Sequence, residues 1–104
     1  MNTDSIAEIG IDDKKRVYLR PGTAAFGNVC GLCMEVDWDP VTHRLTCQKQ
    51  FERSYLECFE HLMHCALLRS CDLNLTTYTV WVNVPDGLRK EMKSWCKDRA
   101  SLVA

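Results

Sequence analysis

The residues best equipped for chemistry are seven cysteines and three histidines in a chain of 104. Cys30-Gly31-Leu32-Cys33 has the spacing of a zinc knuckle or a dithiol redox pair. Either use needs a tight turn or a helix start that brings both sulfurs to one point. Here the pair falls inside an alternating pattern, and residues three apart on a strand point to opposite faces. Cys58, His61 and Cys65, at i, i+3 and i+7 on a helix, could aim at one ion, with Cys30 and Cys33 completing four ligands. Against this, Cys58 and Cys65 border an apolar stripe while His64 belongs to the charged side. The cysteines are expected to act as small buried apolar residues, with no metal and no cofactor. Cysteine catalysis requires a thiolate beside an oriented imidazole, and no spacing here selects such a pair. A phosphate-cradling glycine loop, a nucleophile elbow and an H-E-x-x-H helix are also missing. No catalytic residue is assigned.

Aromatic residues on the outward faces of strands are the other candidates. Tyr18 stands between Arg16 and Arg20, and Trp81 shares a parity with Thr77 and Thr79. Together they would form a rigid amphipathic platform if the second face of a sheet is open. Leu67 and Leu68 widen the apolar arc of a helix. Tyr18, Trp81, Thr79, Leu67 and Leu68 are therefore the expected ligand or partner surface.

The elements that would position these residues follow from periodicity. Ile6–Ile11 and Arg16–Arg20 read as a hairpin about the polar turn Asp12–Lys15, with Val17 and Leu19 on one face. Pro21 and Gly22 end the strand, and Phe26 anchors the loop that follows. Val29–Trp38 alternates cleanly, Asp39-Pro40 supplies turn chemistry, and Arg44–Lys49 returns with Leu45 and Cys47 inward. Phe51–Ser70 changes to the helical period, and Tyr55, Phe59, Leu62 and Ala66 are expected to dock. Leu73–Val84 reads as one strand with a bulge or bend near Thr76-Thr77. Pro85 suits the first turn of a last helix, with Leu88, Met92, Trp95 and Cys96 inward and a tail that frays from Lys97. The order β-β-β-β-α-β-α predicts an α+β fold: a mainly antiparallel sheet of about five strands carrying two helices.

Composition limits the function classes. A 12.0 kDa chain that is 46% hydrophobic and 26% charged fits a single domain, residues 1–104, with an ordinary apolar core. Thirteen basic against fourteen acidic residues, interspersed, argue against a nucleic-acid binder held by phosphate contacts. The longest uncharged stretch, Pro21–Met34, is too short and glycine-rich to span a bilayer. The opening Met1-Asn2-Thr3-Asp4-Ser5 lacks the basic and apolar regions of a secretory signal. The expected location is therefore the cytosol, and an odd number of cysteines there points to free thiols.

Asp12, Arg16-Val17-Tyr18-Leu19-Arg20-Pro21, Trp38-Asp39-Pro40, Tyr55-Leu56 and Val84-Pro85-Asp86-Gly87-Leu88 together resemble the small standalone α+β proteins encoded on bacterial integron gene cassettes. The resemblance spans most of the chain and carries over no functional residue. It implies a bacterial cytosolic accessory protein that can oligomerise. The leading functional reading is a non-catalytic binding or self-associating module, a homodimer or the binder of a protein partner or small apolar ligand. A toxin-immunity type inhibitor and a small enzyme with a cleft Cys/His pair are the alternatives.

Overall fold

A computed structural model describes residues 2–26, 35–48 and 53–103, with side chains described as far as Asp98. The chain runs β1 (Asn2–Ile11), β2 (Val17–Pro21), β3 (Val36–Asp39), β4 (Arg44–Cys47), α1 (Tyr55–Leu68), β5 (Cys71–Asn74), β6 (Val80–Val82) and α2 (Asp86–Val103). The strands make one sheet in the order β3-β4-β2-β1-β5, and β6 pairs with the second half of β1. The β1–β2, β2–β4 and β3–β4 pairs are antiparallel, while β5 and β6 run parallel to β1. This is the α+β architecture read from the sequence, with a sixth strand.

The first hairpin closes where expected. Asp12 Oδ1 accepts from the backbone N–H groups of Lys14 (3.0 Å) and Arg16 (2.8 Å), and Arg16 Nε donates to Asp12 Oδ2 at 2.9 Å. Lys15 takes the left-handed turn conformation at φ 61°. The Asp12 side chain thus satisfies two of the turn's backbone donors, while the Lys15 N–H donates to the Asp12 carbonyl at 3.0 Å, which is why an Asp suits the first position.

The single expected strand over Leu73–Val84 is two strands. Their separation answers an irregularity in β1, where the register against β2 shifts between Ile6 and Glu8. Ile6, Ile9 and Ile11 are all buried, and a period of two cannot put residues 6 and 9 on one face. The bulge supplies the missing residue. The Ile6 carbonyl beside the bulge takes a side-chain donor. The Thr79 hydroxyl donates to that carbonyl at 2.7 Å, and Thr79 is itself buried. The bend near Thr76-Thr77 therefore becomes a loop opposite the bulge.

Ser54 caps α1 through a reciprocal pair: its hydroxyl accepts from the Glu57 N–H, and the Glu57 carboxylate accepts from the Ser54 N–H, both at 3.1 Å. That box sets the start at Tyr55, four residues later than the periodicity implied. Phe59, Leu62 and Ala66 dock on the sheet with no exposure, joined by Cys58, Met63 and Cys65. Tyr55 does not join them; in the first turn it is 38% exposed. Helix α2 begins after Pro85 as expected, sends Met92 into the core, and sets Trp95 edge-on to Phe59 with ring centroids 5.5 Å apart. Leu88, Trp95 and Cys96 are half-buried against the same core. The helix continues to Val103, beyond the predicted fraying point at Lys97. Both helices share one core, so they cover one face of the sheet. Of the expected strand Val29–Trp38, residues 29–34 lie outside the described residues, as do 49–52.

Candidate functional site on the uncovered sheet face

The pairing register defines what the other face, which no described helix covers, presents. Cross-strand partners point to the same side of a sheet. Asp37, Thr46, Tyr18, Gly10 and Val82 therefore form one row across β3, β4, β2, β1 and β6. Asp39, Arg44, Arg20, Glu8 and Val80 form the next. The β1 bulge is what turns Glu8 onto this face, away from Ile6.

Glu8 is the hub of the second row. Its carboxylate lies 3.7 Å from Arg20 Nη2 through Oε1 and 3.7 Å from Arg44 Nη2 through Oε2. Oε2 also accepts from the Tyr18 hydroxyl at 2.5 Å. The Arg44 guanidinium sits over the Tyr18 ring, 4.0 Å from its centroid. Like charges on neighbouring strands repel, so the shared carboxylate is what lets Arg20 and Arg44 stand side by side. Both arginine side chains remain about 40% exposed. Burial, reinforced by the hydrogen bond to Glu8, pushes the Tyr18 phenol up to about 12. Tyr18 is thus a held donor rather than a base.

Gly10 makes room for this arrangement. A Cβ built there would lie 2.6 Å from the Tyr18 hydroxyl oxygen and 2.8 Å from Cζ. The glycine's φ is not positive, so its role is close approach and not backbone freedom.

The other expected surface residues are dispersed. Tyr18 and Trp81 do not share a face. Ile9 pairs with Leu19 and Trp81, whereas Gly10 pairs with Tyr18 and Val82. The sheet turns Trp81 towards α2, where the Arg89 guanidinium lies 5.0 Å from its ring and Lys93 Nζ 5.9 Å. Thr79 serves the bulge. Leu67 is half-buried, and Leu68 is 51% exposed at the end of α1. Tyr18 itself is 1% exposed beneath Arg44. Glu8, Gly10 and Arg44 were missed. The signal for Glu8 was the three-residue step from Ile6 to Ile9, which implies a bulge; the pairing of Gly10 with Tyr18 follows from the Ile11–Val17 register that closes the hairpin.

Cys47, Cys58, Cys71 and Cys96 carry thiols, whereas Cys65 is disulfide-bonded. The expectation of free thiols rather than a disulfide framework holds at these four and fails at Cys65, because the parity of a count does not say which sulfurs the fold brings together. Burial and the neighbouring Cys47 push the Cys58 thiol up to about 12, and burial, with Asp4 and Asp72 nearby, raises Cys71. Neither is poised as a nucleophile. His61 Nε2 approaches Cys65 Sγ at 3.9 Å, but that sulfur is already bonded. Among the described residues no cluster of three or more His, Cys, Asp or Glu side chains could hold a metal. Cys30 and Cys33 lie outside the described residues. No described helix is long and apolar enough to cross a membrane.

A mixed sheet with helices on one side and a pre-formed charge array on the other, covered by no described helix, defines an α+β protein. The lineage is more specific. Residues 4–73 match the family described as Integron Cassette Protein Hfx_Cass5, and the chain belongs to that family of integron cassette proteins, as the sequence resemblance implied. A solved structure described as integron cassette protein Hfx_Cass5, from the mobile metagenome of North West Arm Sewage Outfall, is similar. It is 31% identical over 93% of this chain and 98% of that one, with a TM-score of 0.47. No curated protein gives a match.

Proposed function

We propose that the protein is a non-catalytic cytosolic binding module that associates with a second copy of itself through the uncovered sheet face. One observation carries this reading: Glu8 and Arg20 are cross-strand partners of opposite sign on that face. Identical chains mostly assemble as two-fold dimers, whose contact patch must complement itself. A two-fold axis running between β1 and β2, along the strands, sets Arg20 of each copy against the partner's Glu8. The same operation lays the Arg44 stem over the partner's Val80, which is half exposed. Axes placed between β2 and β4 instead set arginine against arginine.

The face is modest in size. Five strands about 4.8 Å apart and some 15 Å long present about 400 Å², roughly half of what each partner contributes to a stable complex. The association is accordingly weak and salt-sensitive, appearing in the micromolar range. Sedimentation velocity across that range tests it. The mass should rise from 12.0 kDa towards twice that value, fall back in high salt, and stay at the monomer value for Arg20→Glu. A wild type that remains monomeric at every concentration overturns the reading.

A further inference from the structure

A groove between α2 and the loop linking β5 to β6 lies on the helical side of the molecule, away from the charged sheet face. Its volume is about 550 Å³, and Leu75, Thr76, Lys93, Cys96 and Lys97 are among its lining residues. That volume is within the range of small-molecule sites, roughly 300–1,000 Å³. Its lining is mainly apolar, and Leu75 and Cys96 are both half-buried. Lys93 and Lys97 stand one helical turn apart and both border the groove. Among the described lining residues there is no carboxylate. Lys93 has no acidic partner among the described ion pairs, its ammonium lying 5.9 Å from the Trp81 ring.

The wall opposite the lysines is fixed before any ligand arrives. Thr76 N donates to Thr79 Oγ1 at 3.0 Å, Thr79 N to the Thr76 carbonyl at 3.2 Å, and Tyr78 N to Thr76 Oγ1 at 3.1 Å. Thr79 in turn is tied to the Ile6 carbonyl at the β1 bulge. A loop so pinned loses little freedom on binding, which favours affinity. An apolar floor with cations at one rim selects a particular chemistry: a hydrocarbon body that leaves water and an anionic head that meets an ammonium.

We propose that this groove binds small amphiphilic anions, such as medium-chain carboxylates, with the tail along Leu75 and Cys96 and the head at Lys93. The site is independent of the dimer, because it uses no residue of the sheet face. The test is a titration of the full chain with decanoate below its micelle concentration, followed by amide NMR shifts, alongside decyltrimethylammonium as a cation with the same tail. Decanoate should saturate and shift the amides of Leu75, Thr76 and Cys96. The cation should not saturate, and Lys93→Gln should weaken decanoate about tenfold, the scale of one charge-assisted contact. A thermal melt checks that Lys93→Gln remains folded, and Arg20→Glu should bind decanoate like the wild type. No saturation, equal binding of the cation, shifts confined to other surfaces, or a Lys93→Gln variant that binds normally would each overturn the site.

Discussion

The two faces of the sheet are made by different rules. On the covered face, Ile9, Val17, Leu19, Leu45 and Cys47 meet Phe59, Leu62 and Ala66, and these side chains are almost wholly removed from water. Position on that face is decided by apolar area, which is non-directional and tolerant of exchange. On the bare face, position is decided by partners: Glu8 accepts from Tyr18 and faces two arginines, and Gly10 yields its side-chain space to the Tyr18 ring. The covered face should therefore respond to lost volume and the bare face to gained volume or altered charge.

The largest expected effect is on the covered side. Phe59→Ala deletes a ring that has no exposure and packs against Trp95, and should destabilise the fold by about 3 to 5 kcal/mol in chemical denaturation. A loss under about 1 kcal/mol would mean that α1 docks by another face.

Gly10→Ala adds a single methyl on the bare side, yet its carbon would meet the Tyr18 hydroxyl at 2.6 Å. Moving the ring breaks its bond to Glu8, so the substitution should cost roughly 1 to 3 kcal/mol. Combining it with Tyr18→Leu should recover part of that loss, since the two residues share one space. Additive losses in the double variant would contradict the close approach.

Alkaline pH offers a smaller effect on the same cluster. The Tyr18 phenol is raised to about 12 in the folded protein, against an ordinary value near 10. A group whose folded value is raised contributes stability in full below its unfolded value and loses it as pH climbs through the folded one. Wild-type stability should therefore fall between about pH 10 and about pH 12 by more than that of Tyr18→Phe. Urea unfolding of both proteins at about pH 9 and about pH 11 measures the difference, and parallel declines would remove the Glu8–Tyr18 bond from the account.

The contrast between faces also explains what could be read from the chain. The apolar residues Val17, Leu19, Phe59, Leu62 and Met92 announce themselves by period, so both helices and the first hairpin were legible. The bare face is written in register instead, and register depends on which strands become neighbours. β4 sits beside β2, and β6 joins β1 just beyond the irregularity between Ile6 and Glu8. Trp81 shows the consequence. Its type marked it as a surface anchor, but pairing with Ile9 turned it under α2. Tyr18 was placed on the correct face by parity alone, while its partners Glu8 and Arg44 are 10 and 26 positions away in the chain and carry no local signature.

The self-association of the bare face can be tested most directly by exchanging its charges between two preparations. Arg20→Glu sets glutamate against the partner's Glu8, and Glu8→Arg sets arginine against the partner's Arg20, so each variant alone should be monomeric where the wild type dimerises. Mixed in equal amounts, the two restore every opposite-charge contact, and sedimentation should show a mixed dimer, with circular dichroism confirming that each component is folded. Folded variants that dimerise singly, or that stay monomeric when mixed, would contradict a dimer built on Arg20 and Glu8.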